Sequence, residues 1–269
     1  MVEDFGMRVS VLASSSSGNA TYIETPKHKV LVDAGFSGKQ LEKLLASIDR
    51  KMSDVDSLFL THEHTDHIKG VGVLARRYPQ LNIYANAPTF AALPSSVGKL
   101  PADQLKIFEM GSTLSLDDLD IESFGVSHDA AAPQFYQFHH DDKAFAVLTD
   151  TGYVSDAIAG TIRDADAYLM ECNHDLEMLR MGPYPWPLKQ RILGDTGHLS
   201  NEDGANAIMD MIGLRTKRVY LGHLSPHNNM KPLAHLTVAS MLQAQGLGVG
   251  HDFDVYDTDP AVADPLFVV

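Results

Sequence analysis

The pattern of hydrophobic and polar positions predicts short strands alternating with helices along the first half of the chain. Alternating or continuous apolar residues bounded by turn residues predict strands at 8–12, 20–24, 29–33 and 56–60. Longer segments with helical periodicity predict helices at 39–48 and 68–78. Further short strands are expected near Asn82, Lys106, Ile121, Gln134 and Ala144.

The second half has the same pattern. Strands are expected at 168–171, at 218–221 and near Phe253, and helices at 201–211 and 232–243. The proline-rich stretch 181–187 predicts an irregular lid or wall loop continuing to residue 196, because proline fixes φ and removes a backbone donor. Strands with interspersed helices in both halves favour two packed sheets with helices outside them.

Composition bounds the class of protein. The chain of 269 residues suits one large domain or two small ones, and we expect a single domain over residues 1–269. No apolar run reaches the roughly 20 residues of a membrane helix, and residues 1–6 lack the features of a signal peptide. The single cysteine, Cys172, excludes an internal disulfide and is expected to be a small buried residue. These features predict a cytoplasmic protein that does not bind a membrane.

The formal net charge of −14 counts against a non-specific nucleic-acid binder, because a negative field repels phosphate backbones. It does not exclude an enzyme acting on nucleic acid, since bound metal ions can reverse the local sign of a site.

A cluster of histidines is the main chemical signal. His62, His64, Asp66 and His67 lie within six residues, directly after an apolar strand. Alternate residues of an extended segment share a face, so His62 and His64 point the same way. Imidazoles combined with a carboxylate suit zinc, iron or manganese. The alternative, a solvated histidine patch, rarely has this density.

Three further candidate ligands, His128, Asp150 and His223, each follow a predicted strand. Taken singly, a polar residue after a strand is more often a turn or cap residue. Taken with the histidine cluster, they predict a metal site at the strand ends, where a rigid scaffold presents reactive groups.

The series His-x-His-x-Asp-His, a separate histidine, Thr-Asp-Thr-Gly and a late Gly-His resembles the ordered motifs of the metallo-β-lactamase superfamily over nearly the whole chain. The resemblance implies an α/β (α+β) fold, a four-layered αββα sandwich with the site at one edge. It also implies two divalent metal ions, with Asp150 bridging them. One ion would be held by His62, His64 and His128, and the other by Asp66, His67 and His223. Asp33 would fix the histidine loop, or simply cap the next turn.

Later motifs narrow the reaction. A bridging carboxylate suits phosphate displacement by two metals, which favours a phosphodiesterase over a lactamase. The segments ending at Glu171, Gly197-His198-Leu-Ser and His223-Leu-Ser-Pro resemble those of ribonuclease Z. That likeness implies that His198, oriented by Glu171, donates a proton to the leaving oxygen, unless His198 is an ordinary residue at a helix start. The expected catalytic residues are therefore Asp66, His198 and Glu171.

The whole chain resembles the YycJ/WalJ group of bacterial metallo-β-lactamase-fold proteins. The segments that carry this likeness are Ser14-Ser-Ser-Ser-Gly-Asn-Ala-Thr, Asp33-Ala-Gly-Phe-Ser-Gly, Thr61-His-Glu-His-Thr-Asp-His-Ile-Lys-Gly, Glu171-Cys-Asn-His-Asp, Gly194-Asp-Thr-Gly-His-Leu-Ser-Asn and Leu221-Gly-His-Leu-Ser-Pro-His-Asn-Asn. The resemblance implies a 5′→3′ exonuclease on double-stranded DNA and a link to a two-component signalling system. It leaves open the metal (zinc, manganese or iron) and the oligomeric state.

Substrate contacts are expected from the serine-rich loop and from the segment after His223. The named candidates are Ser16, Asn19, His227 and Asn228. The pair Lys189 and Arg191 is the best candidate for contact with a phosphate backbone. Two other functions stay open: a phosphodiesterase for small cyclic phosphates, and a regulatory accessory protein of the signalling system whose metal site is structural or vestigial.

Overall fold

Two seven-stranded mixed sheets, stacked face to face, form the centre of the computed structural model, which describes residues 6–269. The expectation about a signal peptide rests largely on residues 1–5, outside the described residues. The first sheet contains, in spatial order, β14 (Phe267–Val268), β1 (Arg8–Ser15), β2 (Gly18–Glu24), β3 (Lys29–Val32), β4 (Ser57–Phe59), β5 (Asn82–Ala85) and β6 (Leu105–Ile107). The second contains β13 (Asp254–Asp257), β12 (Arg218–Gly222), β11 (Ala167–Glu171), β10 (Lys143–Leu148), β9 (Gln134–His140), β8 (Leu119–Gly125) and β7 (Thr113–Leu116).

Both sheets change from antiparallel to parallel pairing along their width. In the first sheet, β1 to β3 are antiparallel and β3 to β6 are parallel. In the second, β7 to β10 are antiparallel and β10 to β13 are parallel. The carboxyl ends of parallel strands lie at one edge of each sheet, so the loops that follow them are brought together.

Helices form the outer layers. They are α1 (Gly38–Ser47), α2 (Thr65–Ile68), α3 (Val71–Arg77), α4 (Ala87–Ala92), α5 (Asp156–Thr161), α6 (Leu176–Met181), α7 (Trp186–Ile192), α8 (Asn201–Met211) and α9 (Lys231–Ala244). Residues of α1 and α3 share a core with one face of the first sheet, and residues of α8 and α9 share a core with the second sheet. The predicted αββα sandwich is confirmed.

The alternation of side chains in the strands explains the two cores. In β3, Val30 and Val32 join the core between the sheets, whereas Leu31 joins the core beneath α1 and α3. Phe59 of β4 points between the sheets, where its ring stacks on Tyr84 with centroids 4.6 Å apart. A strand buried on both faces needs apolar residues at every position, and this is why 29–32 and 57–60 are nearly continuous apolar runs.

Three local expectations were wrong. The predicted helix over 68–78 is two helices, separated at 69–70. The serine-rich loop is shorter than expected, because β1 runs to Ser15 and β2 begins at Gly18. The proline-rich stretch is not wholly irregular, since Trp186 and Pro187 open α7, with Pro185 as its N-cap. Proline is tolerated in the first helical turn, where its missing N–H has no intrahelical partner to lose.

No helix among residues 6–269 has both the length and the apolar character needed to cross a membrane.

Between β13 and β14 the chain crosses over β1 and leaves one carboxyl group poorly compensated. The Asp264 backbone donates to Val11 O and accepts from the Ser10 hydroxyl, at 3.0 and 2.6 Å. Its Oδ2 atom is buried and has no hydrogen-bond partner among the described residues. Burial raises the pKa of Asp264 to about 6, with help from the carboxylates of Asp259 and Asp257 and against the opposing charge of Lys231.

We expect Asp264→Asn to stabilise the protein above pH 6 and to change little at pH 4. Because the folded-state pKa of Asp264 lies above its unfolded value, the native state loses stability as pH rises through about 6, and asparagine removes that loss. After allowance for screening by partial exposure, about 1 kcal/mol remains, or roughly 2–4 °C in Tm. Thermal unfolding at pH 4.5 and pH 7.5 measures the difference, with the exposed Asp252→Asn as control. An equal shift at both pH values would contradict it.

Candidate metal centre

The histidine run lies in the connection between β4 and α2, at the edge where the two sheets meet. The rings of His62 and His67 are fully buried, whereas about a third of the His64 side chain is exposed. His64 has extended backbone angles and occupies the N-cap position of α2, so Asp66 and His67 lie in its first turn. A four-residue helix at this point turns His67 back towards His62, and their ring centroids are 4.2 Å apart.

Asp33, directly after β3, fixes this run. Its Oδ1 accepts from the Thr61 amide at 2.9 Å, and its Oδ2 accepts from the Thr61 hydroxyl at 2.9 Å and from His67 Nδ1 at 2.8 Å. Asp33 has a φ of 62°, in the left-handed region. The next turn packs so closely that a Cβ on Gly35 would lie 1.8 Å from the backbone oxygen of Asp66. Of the two expectations for Asp33, this geometry favours fixing the histidine loop.

The second sheet contributes three residues from the ends of neighbouring parallel strands. Glu171 is the last residue of β11, and Asp150 and His223 follow β10 and β12. Asp150 and His223 have φ values of 51° and 56°. Left-handed backbone in residues other than glycine is costly and is concentrated at functional sites. His128 reaches the same edge from the loop after β8.

The seven predicted ligands are gathered in this cleft as two groups. One group is His62, His64 and His128, and the other is Asp66, His67, Asp150 and His223; within each, the ligand atoms lie within 4.8 Å of one another. Asp150 lies between the groups: its Oδ1 is 3.2 Å from His223 Nε2 and 3.8 Å from His128 Nε2. Its Oδ2 is 3.3 Å from His67 Nε2.

The chemistry of these groups fits divalent cations. Burial lowers the pKa of His62 and of His128, which favours the neutral imidazole that metals bind. His62 Nε2 is buried and has no hydrogen-bond partner among the described residues, so a strong donor atom is left free inside the cleft. Despite its burial, the pKa of Asp150 is lowered by its histidine neighbours, chiefly His223 and His67. Despite burial, neighbouring carboxylates, chiefly Asp150, raise the pKa of His67 and of His223, so a metal ion bound there would replace their protons. Carboxylates and imidazoles together are a donor set for zinc, manganese or iron.

Glu171 accepts four hydrogen bonds at the floor of the site. Its Oε1 lies 2.7 Å from His198 Nδ1 and 3.1 Å from His223 Nδ1. Its Oε2 accepts from the backbone amides of 151 and 199 at 2.9 and 3.3 Å. Burial opposes ionisation, but the His198 and His223 contacts lower the pKa of Glu171 to about 2. An ionised carboxylate cannot donate, so both rings carry their proton on Nδ1 towards Glu171 and leave Nε2 for other contacts.

The four expected substrate contacts differ in position. Ser16 lines a cavity of about 230 Å³ that also contains His198. His227 is exposed, with its ring 5.8 Å from that of Tyr184. Asn19 is buried and hydrogen-bonded to Ser14, to Ser15 and to His67. Asn228 has no exposed surface, so in this arrangement its side chain cannot touch a substrate.

Sequence reasoning missed three residues that shape the site. Thr61 links Asp33 to the histidine run, and Asn173 donates through Nδ2 to the backbone oxygen of His223 at 2.9 Å. Asp129 places Oδ1 3.6 Å from His128 Nε2. Thr61 and Asp129 directly adjoin His62 and His128, and Asn173 lies within the segment Glu171-Cys-Asn, so position beside a candidate was the available signal.

The pair Lys189 and Arg191, expected to contact phosphate together, is divided by the structure. Lys189 is buried, and its ammonium donates to the backbone oxygens of Arg180 and Gly182 at 2.7 and 2.8 Å. That group ties α7 to the end of α6 and is not available to a phosphate. Arg191 is about half exposed.

The β-lactamase superfamily domain family matches residues 28–224 of this chain. Exodeoxyribonuclease WalJ of Streptococcus pneumoniae serotype 2 (strain D39 / NCTC 7466) is 58% identical over 267 residues, covering 98% of this chain and 99% of that protein. Exodeoxyribonuclease YycJ of Bacillus anthracis is 52% identical over 255 residues, covering 95% and 96%. The crystal structure of the metallo-β-lactamase fold protein YhfI from Bacillus subtilis superposes with a TM-score of 0.70 at 16% identity, covering 96% and 98%.

We expect Asp33→Asn to weaken metal binding by about 10–100-fold, because groups that orient metal-binding histidines have effects of this size. The amide keeps the bond from the Thr61 amide but loses the charge that holds His67 Nδ1. Competition with a chromogenic chelator, using zinc and manganese, measures the affinity. His251→Ala, at a side chain that is 91% exposed, is the control. Unchanged affinity in a folded Asp33→Asn protein would show that Asp33 only caps its turn.

Proposed function

This chain belongs to the β-lactamase superfamily, and from that premise we propose that it is a metal-dependent exodeoxyribonuclease that degrades double-stranded DNA from the 5′ end. The observation that carries the proposal is identity of 58% and 52%, over nearly the full length of both partners, to two proteins named exodeoxyribonucleases. The cleft supplies suitable chemistry, because it combines two potential metal-binding groups with a histidine held by a carboxylate.

The finer parts of the proposal rest on the residues and on the resemblance. We propose two divalent ions, zinc, manganese or iron, held by His62, His64 and His128 and by Asp66, His67 and His223, with Asp150 shared. We also propose a single domain and a cytoplasmic location. A link to a two-component signalling system is supported by the resemblance alone.

Divalent ions bound in this cleft would lower the pKa of a water molecule towards neutrality and neutralise charge on the phosphate. The chain itself fixes the geometry. Asp33 holds His67 through Nδ1, and Glu171 holds His223 in the same way, so the Nε2 atoms of both rings face Asp150. Rigid positioning of ligands keeps the reacting groups aligned and contributes to the rate.

His198 is the proposed proton donor. Its Nδ1 proton is bound to Glu171, so a second proton on Nε2 is the one available to the departing 3′-oxygen. Its side chain is 18% exposed and it lines the cavity beside the cleft, so a substrate can reach it. The bond to Glu171 fixes the orientation of the ring, so that Nε2 is the nitrogen that faces away from Glu171. By this assignment Glu171 does not touch the substrate, and it acts by positioning His198 and the proposed metal ligand His223.

We expect His64→Ala and Asp150→Ala each to reduce nuclease activity more than about 100-fold, beyond the loss typical of groups that only support ligands. His198→Ala should cost about 10²–10⁴-fold, the usual contribution of a general acid. The measurement uses metal-loaded protein with 5′- and 3′-labelled single- and double-stranded DNA, and a chromogenic phosphodiester tests the small-substrate alternative.

Circular dichroism and metal analysis accompany each variant, and His251→Ala serves as the surface control. Two ions per wild-type chain are expected, with fewer in His64→Ala. Full activity in a folded Asp150→Ala protein would exclude the proposed centre. Cleavage of the chromogenic diester with no action on any DNA would favour the small-molecule phosphodiesterase.

A further inference from the structure

The cavity beside the proposed metal centre has one permanently positive side chain. It occupies about 230 Å³ between the serine-rich loop and α7, and its polar lining includes Ser16, Asn173, Ser225 and His198. Among the described residues that line it, Arg191 is the only lysine or arginine. A polyanion entering this cavity therefore meets a single fixed cation on a protein whose formal net charge is −14.

This cation is paired with a carboxylate that lines the same cavity. Arg191 Nε donates to Asp129 Oδ2. The other oxygen of Asp129 lies 3.6 Å from His128 Nε2 and 4.0 Å from His64 Nε2. The Asp129 carboxylate therefore lies close to the Arg191 guanidinium and also to two proposed metal ligands, His128 and His64. The Nη atoms of Arg191 make no hydrogen bond within residues 6–269, so most of the donor fork stays available.

The backbone that carries Arg191 is held rigidly. His128 Nδ1 donates to the backbone oxygen of Gly197, and the Asp129 amide donates to that of Thr196, both at 3.1 Å. At the other side, Lys189 ties α7 to the end of α6. The helix is thus fixed on both sides, while the Arg191 side chain is 55% exposed. A side chain of this kind can change partner without movement of the helix.

We propose that Arg191 is a substrate-binding residue that exchanges Asp129 for the non-bridging oxygens of a phosphodiester next to the scissile one. The inference rests on the proposed function and assigns a residue to it. A guanidinium binds phosphate oxygens as it binds carboxylate oxygens, and the single bond from Nε to Asp129 Oδ2 occupies the edge of the fork that a two-oxygen phosphate contact would use. Before substrate binds, the bond to Asp129 gives the guanidinium a partner.

The test is binding of a fluorescent duplex by the metal-loaded protein, with phosphorothioate linkages at the ends to prevent hydrolysis. Fluorescence anisotropy between 50 and 200 mM salt gives the affinity and its salt dependence. We expect Arg191→Ala to weaken binding about 10-fold and to reduce the salt slope by about 1, as for one lost phosphate contact. Arg191→Lys should recover part of the affinity. Arg180→Ala, an exposed arginine of α6 paired with Glu177, is the matched control and should bind like the wild type.

Asp129→Asn distinguishes an exchange of partners from a structural brace. If Arg191 exchanges partners, removing its internal competitor leaves binding as tight as in the wild type or tighter, whereas Arg191→Ala weakens it. If the pair only braces α7, both variants weaken binding equally, and the proposal is overturned. It is also overturned if Arg191→Ala binds like Arg180→Ala.

Turnover on an unprotected duplex separates this inference from the proposed function. We expect Arg191→Ala to raise KM by about the factor lost in binding, with a smaller effect on kcat. A wild-type protein that binds duplexes through Arg191 but degrades none would refute the nuclease proposal and leave the binding assignment intact. Degradation of DNA with no dependence of binding on Arg191 would refute the assignment alone.

Discussion

Buried negative charge at the junction of the two sheets is the constraint on which the rest of the site depends. Asp33, Asp150 and Glu171 are almost fully buried, and an ionised carboxylate in such a place must be paired. Each is paired with histidines that come from other strands. The pairing fixes which ring nitrogen carries a proton, and it is compatible with the left-handed backbone of Asp33 and Asp150. The arrangement of donors follows from satisfying these three charges.

The sheets and the proposed ligand set could largely be predicted from the sequence, because both depend on regular geometry. Continuous apolar runs such as 29–32 indicate buried strands, and residues after parallel strands must share an edge. Asn19 and Asn228 could not be placed in this way. The side-chain amide of Asn19 reaches His67, 48 residues later, and that of Asn228 donates to the buried Ser225, and no strand or helix periodicity encodes these contacts. The prolines near the start of α7 led to a wrong prediction of irregular structure, because the effect of a proline depends on its position relative to the helix.

Helix α7 combines a backbone that is fixed on both sides with one half-exposed charged side chain, that of Arg191. Lys189 donates to two backbone oxygens, so its ammonium group holds α7 against the end of α6. Arg191, two residues later, faces the cavity. Opposite faces of one short helix thus carry positive charges with different roles, and the sequence alone does not distinguish these roles. An acidic protein can bind a polyanion if its few free cations lie beside its metals.

The pairing of β14 with β1 has a consequence for biosynthesis. Phe267 lies opposite Val9, so that side of β1 has no strand partner until residues 267–268 have been made. An unpaired strand edge is a template for association with other chains. While the ribosome is still adding the second sheet, β1 therefore carries the risk of aggregation in the nascent polypeptide. Synthesis of residues 259–268 reduces that risk, because this stretch bonds to the β1 backbone at Ser14 and Val11 and pairs with Arg8 and Val9.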